Sequence, residues 1–524
     1  GAGSALRGPC LNTVRMPGVS LERESRYGKA SGRAYAYPER ANVKMSEALR
    51  VLDEGVHPLV IRSTQILAVA LLIAACSIHV PKIQLNDIRD IRAALGIDIA
   101  YASTLTLGAM FLLVVYVLRR PRAVYLLDFA VWRPAPGLDA SSMHASEAFF
   151  RSTLANSGCF SEDSQRFQMK LYERNHISES TYLPPGLSNF KAGETDFDFS
   201  LRAARKEFEM VIFSTCDELF RKTGIKPSEI DILVVNCSLF NPTPSLSAIL
   251  INHYKMKDSI QAYSLGGMGC SAGIISLHLA KDLLQVYPRK RALVVSTENI
   301  TQNFYQGNDK SMLISNTLFR MGGAAVILSG RGADRPCAKY TLLHTVRTHK
   351  GADDSAYRCV FQEEDGAGHV GVRLQKNVME CAGEAMKTNI TVLGPLILPV
   401  SEQARFLANF VLRTWFRVKG LKGYVPDFTK AVSHFCIHTG GRAVLDALQA
   451  NLNLTDYHLE PSRYSLWRWG NVSSASVWYE MDFLEKSGRV RRGDKVWQIG
   501  FGSGFKCNSA VWQANATQPA GDLD

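Results

Sequence analysis

From Ala123 onward the chain alternates apolar runs of strand length with segments whose apolar positions recur at helical spacing, and two of those helices open on runs of small residues. Such alternation predicts an α/β domain in which helices cover sheets. Strands are predicted at residues 231–235, 291–296 and 324–328, and a second series at 340–347, 435–437 and 495–499. The second series repeats the first in outline. Ser473-Ser474-Ala475-Ser476 opens a helix in the later series much as Cys270-Ser271-Ala272-Gly273 does in the earlier one, which predicts an internal duplication with halves at 123–338 and 339–524.

The 524 residues provide material for a large core, and a composition of 46% hydrophobic and 21% charged residues is that of a globular enzyme. A formal net charge of +12 suits an anionic partner, either phosphate-bearing ligands or a membrane surface. The 11 cysteines lack CxxC pairs and zinc spacing and are odd in number, so the sequence reads as reduced and cytosol-facing, with no disulfide framework. Residues 1–57 are polar, rich in Gly, Ser and Arg and without periodicity, and read as disordered. Two apolar runs follow, at about 64–80 and 99–118, and the second stops at Arg119-Arg120-Pro121-Arg122. An apolar run of that length closed by arginines predicts a membrane helix, and the pair predicts a hairpin over 58–122 with both ends in the cytosol. Between the halves lies an insert, 393–430, whose core 402–418 sets Phe406, Leu407, Phe410, Val411 and Trp415 on one helical side with Arg405, Arg413 and Arg417 nearby. That pattern fits either a helix in the membrane interface or an ordinary surface helix.

The chemistry is carried by four separated stretches. In Gly266-Gly267-Met268-Gly269-Cys270-Ser271-Ala272-Gly273 a single thiol follows an extended run, 260–265, and precedes a helix, so Cys270 is expected on a sharp turn in the first turn of that helix. Unpaired amides and the helix dipole there favour a thiolate, and the glycines let a carbonyl approach the backbone. A buried structural thiol is the plain alternative. His438 is expected where a strand runs into His438-Thr439-Gly440-Gly441, a usual place for a catalytic group. Asn471 is expected at a loop-to-helix turn in Gly470-Asn471-Val472-Ser473, and Gly500-Phe501-Gly502-Ser503-Gly504 offers a loop whose backbone passes close to a ligand. Taken singly, each also reads as a capped helix, a strand-end histidine or a simple turn.

Together, and in this order, these motifs resemble the Cys-His-Asn condensing enzymes of the thiolase superfamily. Longer stretches narrow the resemblance: Val124-Tyr125-Leu126-Leu127-Asp128-Phe129-Ala130, Glu179-Ser180-Thr181-Tyr182-Leu183-Pro184-Pro185-Gly186, Asn236-Cys237-Ser238-Leu239-Phe240-Asn241-Pro242 and His349-Lys350-Gly351-Ala352-Asp353 resemble the plant-type 3-ketoacyl-CoA synthases. The resemblance covers about residues 58–510. It departs mildly at Val131-Trp132 and in the long polar N-terminus.

The resemblance implies a five-layered αβαβα fold of two duplicated halves behind an N-terminal membrane hairpin. It implies that Cys270 takes the acyl group of a long-chain acyl-CoA as a thioester, that malonyl-CoA loses carbon dioxide, and that the carbanion attacks the thioester to give a 3-ketoacyl-CoA two carbons longer. Donors from His438 and Asn471 are expected on the enolate oxygen, and amides of Cys270 and of the Gly502, Ser503 and Gly504 loop on the acyl oxyanion. His349 and His434 lie in motifs of the same family and are expected in supporting or structural roles; Cys237 and Cys436 are expected to be packing residues. No metal or redox cofactor is implied, and no nucleic acid. Implied partners are acyl-CoA, malonyl-CoA, membrane lipid, a second copy of the chain and other elongase enzymes, at the endoplasmic reticulum membrane with the catalytic part facing the cytosol. Two alternatives are a type III polyketide synthase-like enzyme, which shares Cys, His and Asn but is soluble, and a non-catalytic membrane scaffold.

Overall fold

The computed structural model describes residues 99–119, 121–134, 143–188, 197–418 and 420–523. The predicted disordered segment and the first predicted membrane helix lie outside them. The second predicted membrane helix is present as α1 (Ile99–Arg119), with Leu107, Phe111, Leu112 and Leu113 exposed. Among the described residues no helix is long and apolar enough to cross a membrane, so the hairpin is not established. Residues 121–524 form a separate compact unit.

The strands of that unit are the six predicted, with small shifts at their ends, and five more. They are β1 (Val124–Val131), β2 (Ile232–Asn236), β3 (Gln261–Leu265), β4 (Arg291–Thr297), β5 (Gly323–Ser329), β6 (Tyr340–His349), β7 (Val360–Glu364), β8 (Val370–Leu374), β9 (His434–Ile437), β10 (Lys495–Gly502) and β11 (Lys506–Ala514). β7 and β8 make a separate hairpin; the other nine lie in the order β3-β2-β4-β5-β1-β6-β11-β10-β9. The order contains the duplication. β2 runs parallel to β4, β4 antiparallel to β5, and β5 antiparallel to β1; β9 runs parallel to β10, β10 antiparallel to β11, and β11 antiparallel to β6. The two series meet at a short antiparallel seam, Val124 to Leu126 against Tyr340 to Leu342.

Helices complete the layers. On the outside, α2 (Leu201–Thr223) packs on β1 and β5, and α4 (Val378–Ile397) packs on β6 and β11. Between the half-sheets, α3 (Ala272–Val286) touches β2 and β4 on one side and β10 and β11 on the other, and α6 (Ser476–Lys486) touches β1, β9 and β10; α5 (Val400–Thr414) stands in the insert. β2, β4 and β5 are buried on both faces, which is why they read as continuous apolar runs rather than alternating ones. The arrangement is thiolase-like α/β.

The duplicated helix openings meet in the middle. A methyl added to Gly273 would collide with the Ser474 carbonyl oxygen and touch Ser296 Oγ at 3.4 Å. The small residues in both openings therefore let two chain segments cross at backbone distance. Gly273→Ala is expected to cost about 1–3 kcal/mol through overpacking, seen as a lower apparent midpoint in thermal unfolding; an unchanged midpoint would show that the crossing tolerates a methyl.

Candidate active site

Cys270 stands between β3 and α3, where Gly267 and Gly269 adopt positive φ of 65° and 69°. Left-handed backbone at both positions makes the turn sharp enough to aim the thiol away from the sheet. The helix starts at Ala272 with Ser271 as its N-cap, so Cys270 lies two residues ahead of the first helical residue rather than within the first turn. The turn packs on the chain between β10 and β11. A Cβ on Gly269 would lie 2.5 Å from the Ser503 amide nitrogen, and one on Gly502 would lie 2.8 Å from the Met268 carbonyl oxygen and 2.5 Å from Ser271 Oγ. Cys270, Ser503 and Gly504 thus share one wall of a cavity of about 450 Å³. Its other walls are largely apolar, with Leu239, Phe319, Val360, Phe361 and Val372, so it suits a hydrocarbon chain better than a polar ligand.

Asn471 stands two residues from the cavity-lining Ser473, and Thr439, next to His438, bonds to the same stretch of chain. His438 follows β9, with its amide donating to Ile499 O at 2.9 Å, and is buried; its Nδ1 has no hydrogen-bond partner among the described residues. Asn471 is held by its amide donating to Leu318 O at 2.9 Å and by its carbonyl accepting from Arg320 N at 3.0 Å. Its side-chain oxygen accepts from Ser473 N at 2.8 Å, which leaves the amide nitrogen as the donor end. Thr439 links the two loops through Ser476 Oγ at 3.0 Å. Neither His438 nor Asn471 lines the cavity, whereas their neighbours Phe319 and Ser473 do; Phe319 pairs with Asn471 backbone to backbone.

His349, at the end of β6, lines the cavity and its Nδ1 accepts from Gly351 N at 2.9 Å. His434 sits at the opposite end of β9 from His438, buried, with Nε2 3.1 Å from Asp494 Oδ2, and is not among the cavity-lining residues. Cys237 and Cys436 are buried, and the Cys237 thiol lies 3.3 Å from Glu298 Oε1.

Three residues not expected from sequence complete the site. Glu298, just past β4, lines the cavity beside Cys270 and is buried. Its carboxylate accepts from Leu239 N at 2.9 Å, Ser238 N at 3.3 Å and Ser473 Oγ at 3.1 Å. Ser473 has a positive φ of 54°, unusual for a residue with a Cβ, and this turn points its amide at Asn471 while its hydroxyl meets Glu298. Arg320 is wholly buried with no carboxylate partner among the described residues, donating to Thr181 Oγ1 at 3.0 Å and Phe319 O at 2.8 Å under Gly470 and Asn471. A sequence signal existed for Glu298, since it sits at a strand's carboxyl end; for Ser473 and Arg320 there was none.

Burial is the largest influence on the charge state of the thiol. It pushes the Cys270 thiol up to about 12; the Ser473 hydroxyl pulls the other way and the Glu298 charge adds to the rise. Burial alone brings His438 down to about 4, so near neutral pH it is an uncharged imidazole with one proton to give and one lone pair open. Burial also raises Glu298 and lowers His349, the latter with Lys506 and Arg347 adding to the effect. These shifts favour the thiol at Cys270 and the neutral imidazole at His438 near neutral pH. Alkylation of Cys270 by iodoacetamide is expected to climb about tenfold per pH unit from pH 7 to 10 without a plateau. Glu298→Gln removes a negative charge that disfavours the thiolate, so the same reaction at pH 8 is expected to quicken; a plateau near pH 7, or no change in the variant, would contradict this electrostatic account.

A family model described as FAE1/Type III polyketide synthase-like protein matches residues 116–415, and one described as 3-Oxoacyl-[acyl-carrier-protein (ACP)] synthase III C terminal matches 429–514. 3-Ketoacyl-CoA synthase 2 of Arabidopsis thaliana is 54% identical over 410 residues, covering 78% of this chain and 76% of that protein. 3-Ketoacyl-CoA synthase 11 of the same plant is 48% identical over 471 residues, 90% of each chain. Among solved structures, the C-terminal type III polyketide synthase domain of Steely1, a type I/III hybrid from Dictyostelium, matches with a TM-score of 0.57 at 19% identity, over 75% of this chain and 100% of that one. PKS-I from the brown alga Ectocarpus siliculosus matches with a TM-score of 0.57 at 16% identity, over 76% and 99%. The structural likeness carries the thiolase-like fold, and the sequence likeness carries the family: the chain belongs to the 3-ketoacyl-CoA synthases.

Proposed function

We propose that the chain is the condensing acyltransferase of fatty acid elongation, with Cys270 as the acyl carrier. In the first half-reaction the Cys270 sulfur attacks the thioester carbonyl of a long-chain acyl-CoA; the C–S bond to coenzyme A breaks, a new C–S bond to Cys270 forms, and the thiol proton leaves with coenzyme A. In the second, malonyl-CoA loses carbon dioxide and the carbanion attacks the acyl-Cys270 carbonyl, expelling the Cys270 sulfur, which takes up a proton. The product is a 3-ketoacyl-CoA two carbons longer. The observation that carries this reading is the interlocked pair of turns, Cys270 against Gly502 and Ser503, on the wall of an apolar cavity.

The remaining groups take roles that their environments support. Decarboxylation places negative charge on the malonyl thioester oxygen, and the His438 N–H and the Asn471 amide nitrogen are donors suited to it; each such donor is worth about 3–4 kcal/mol. A neutral imidazole keeps the proton this task needs. Amides of Cys270 and of the Gly502, Ser503 and Gly504 loop are assigned to the oxyanion formed on the acyl carbonyl. His349 is assigned a supporting place on the cavity wall, and His434 a structural one. The chemistry balances without a metal or redox cofactor. Membrane attachment through a hairpin over 58–122 at the endoplasmic reticulum, with 123–338 and 339–524 as the two catalytic halves in the cytosol, rests on the apolar run that ends at Arg119-Arg120-Pro121-Arg122. Pairing with a second copy and with other elongase enzymes rests on the superfamily resemblance.

In yeast microsomes given labelled malonyl-CoA and a panel of acyl-CoAs, the wild type is expected to release 3-ketoacyl-CoA and Cys270→Ala to release none above background. Undiminished condensation by Cys270→Ala would remove the assignment. His438→Ala and Asn471→Ala are each expected to slow malonyl decarboxylation by about a hundredfold or more; normal decarboxylation in either would cancel that residue's role while leaving Cys270 in place.

A further inference from the structure

Helix α5 in the insert is fastened at its start and turned outward beyond it. Glu402 is wholly buried and accepts from Lys430 Nζ at 2.7 Å, Arg405 Nη1 at 3.1 Å, the Tyr424 hydroxyl at 2.5 Å and the Asp427 amide at 3.1 Å. Midway, Asn409 accepts from Tyr424 N at 3.0 Å and donates to Lys422 O at 3.1 Å, tying the helix to the returning chain. Apart from these two fastenings the large apolar side chains lie in the open: Leu407 is 60% exposed, Phe410 51%, Trp415 78% and Phe416 69%. The carboxylate is inside and the apolar stripe outside, the reverse of a helix that covers a core.

The charges around the stripe have one sign. Between Val400 and Val425 the chain carries Arg405, Arg413, Arg417, Lys419 and Lys422 against one carboxylate, that of the buried Glu402. Aromatic side chains interspersed with arginines match the boundary between acyl chains and anionic headgroups, where rings enter the hydrocarbon edge and guanidinium groups meet phosphates. A second copy of the chain suits the patch poorly, because a two-fold interface sets a patch against itself and would face these cations with cations.

We propose that α5 and the turn that follows it lie in the interface of an anionic bilayer, with Phe410, Trp415 and Phe416 at the level of the upper acyl chains and Arg413 and Arg417 among the phosphates. The catalytic unit then has its own contact with the membrane, additional to the N-terminal hairpin. This inference rests on the membrane attachment proposed above and not on the condensation chemistry.

The test uses the full chain reconstituted in vesicles of phosphatidylcholine, with or without about one third phosphatidylserine. The fluorescence of Trp415 is obtained as the difference between the wild type and Trp415→Phe, with lipids brominated high on their acyl chains as quenchers. The Trp415 component is expected to be blue-shifted and to lose about half its intensity in the brominated phosphatidylserine vesicles. The double variant Arg413→Gln, Arg417→Gln is expected to lose the advantage of phosphatidylserine over phosphatidylcholine while still floating with the vesicles. Flotation of the wild type with an unquenched Trp415 component overturns the placement of this helix and leaves the hairpin standing. A component that is blue-shifted but unquenched, and that grows with protein density in the vesicle, assigns the face to a second copy and also overturns it. Failure of the wild type to float removes the attachment and this inference together.

Discussion

The crossing of two helix openings at backbone distance is the constraint on which the rest of the structure depends. Gly273 from one half lies against the Ser474 carbonyl from the other, and the turns on either side of that contact carry Cys270 and Ser473. A duplicated α/β half can bury only one face of its middle helix against its own sheet; α3 covers its other face with strands of the second half. Close packing of the halves is thus obtained by removing side chains at the crossing, and the same removal opens room beside the thiol. Structure and chemistry draw on one set of small residues.

The electrostatic character of the centre follows from that burial. A thiol brought between two sheets is desolvated, and the nearby Glu298 opposes its ionisation further. A histidine placed at the end of a buried strand, with no carboxylate to hold a charge, stays neutral. Both groups therefore favour the uncharged form, and in the proposed reaction charge develops only as a thioester arrives and its oxygen finds donors. A preorganised, poorly hydrated pocket makes each such donor worth more than it is in water. Ser473 is a link among these parts: its amide orients Asn471, its hydroxyl meets Glu298, and it pulls the Cys270 thiol against the effect of burial.

Much of this was legible in the sequence, for physical reasons that also mark where legibility ended. Strands buried on both faces are written as apolar runs, so β2, β4 and β5 could be read to within a residue or so of their ends. β11 escaped because its buried face holds polar residues whose partners lie elsewhere: Ser509 accepts from Trp497 Nε1 at 2.9 Å and donates to Asn389 Oδ1 at 2.6 Å. Cys270, His438, Asn471 and the Gly502 loop stood out because glycines and small residues surround them. Arg320 did not, since a lone charged residue carries no local sign that it will be buried, and Glu298 offered only its place at a strand's carboxyl end. The helix terminus beside the thiol could be inferred from a turn, but desolvation depends on what the distant chain brings to cover it.

The account stands or falls on whether Cys270 carries the acyl group. Incubating the membrane-reconstituted protein with a long-chain acyl-CoA, without malonyl-CoA, and mapping its peptides by mass spectrometry measures this directly. The expected result is one acyl adduct on the peptide containing Cys270, discharged on adding malonyl-CoA as 3-ketoacyl-CoA appears. Product formation with Cys270 unmodified throughout, or with the adduct on another residue, would contradict it.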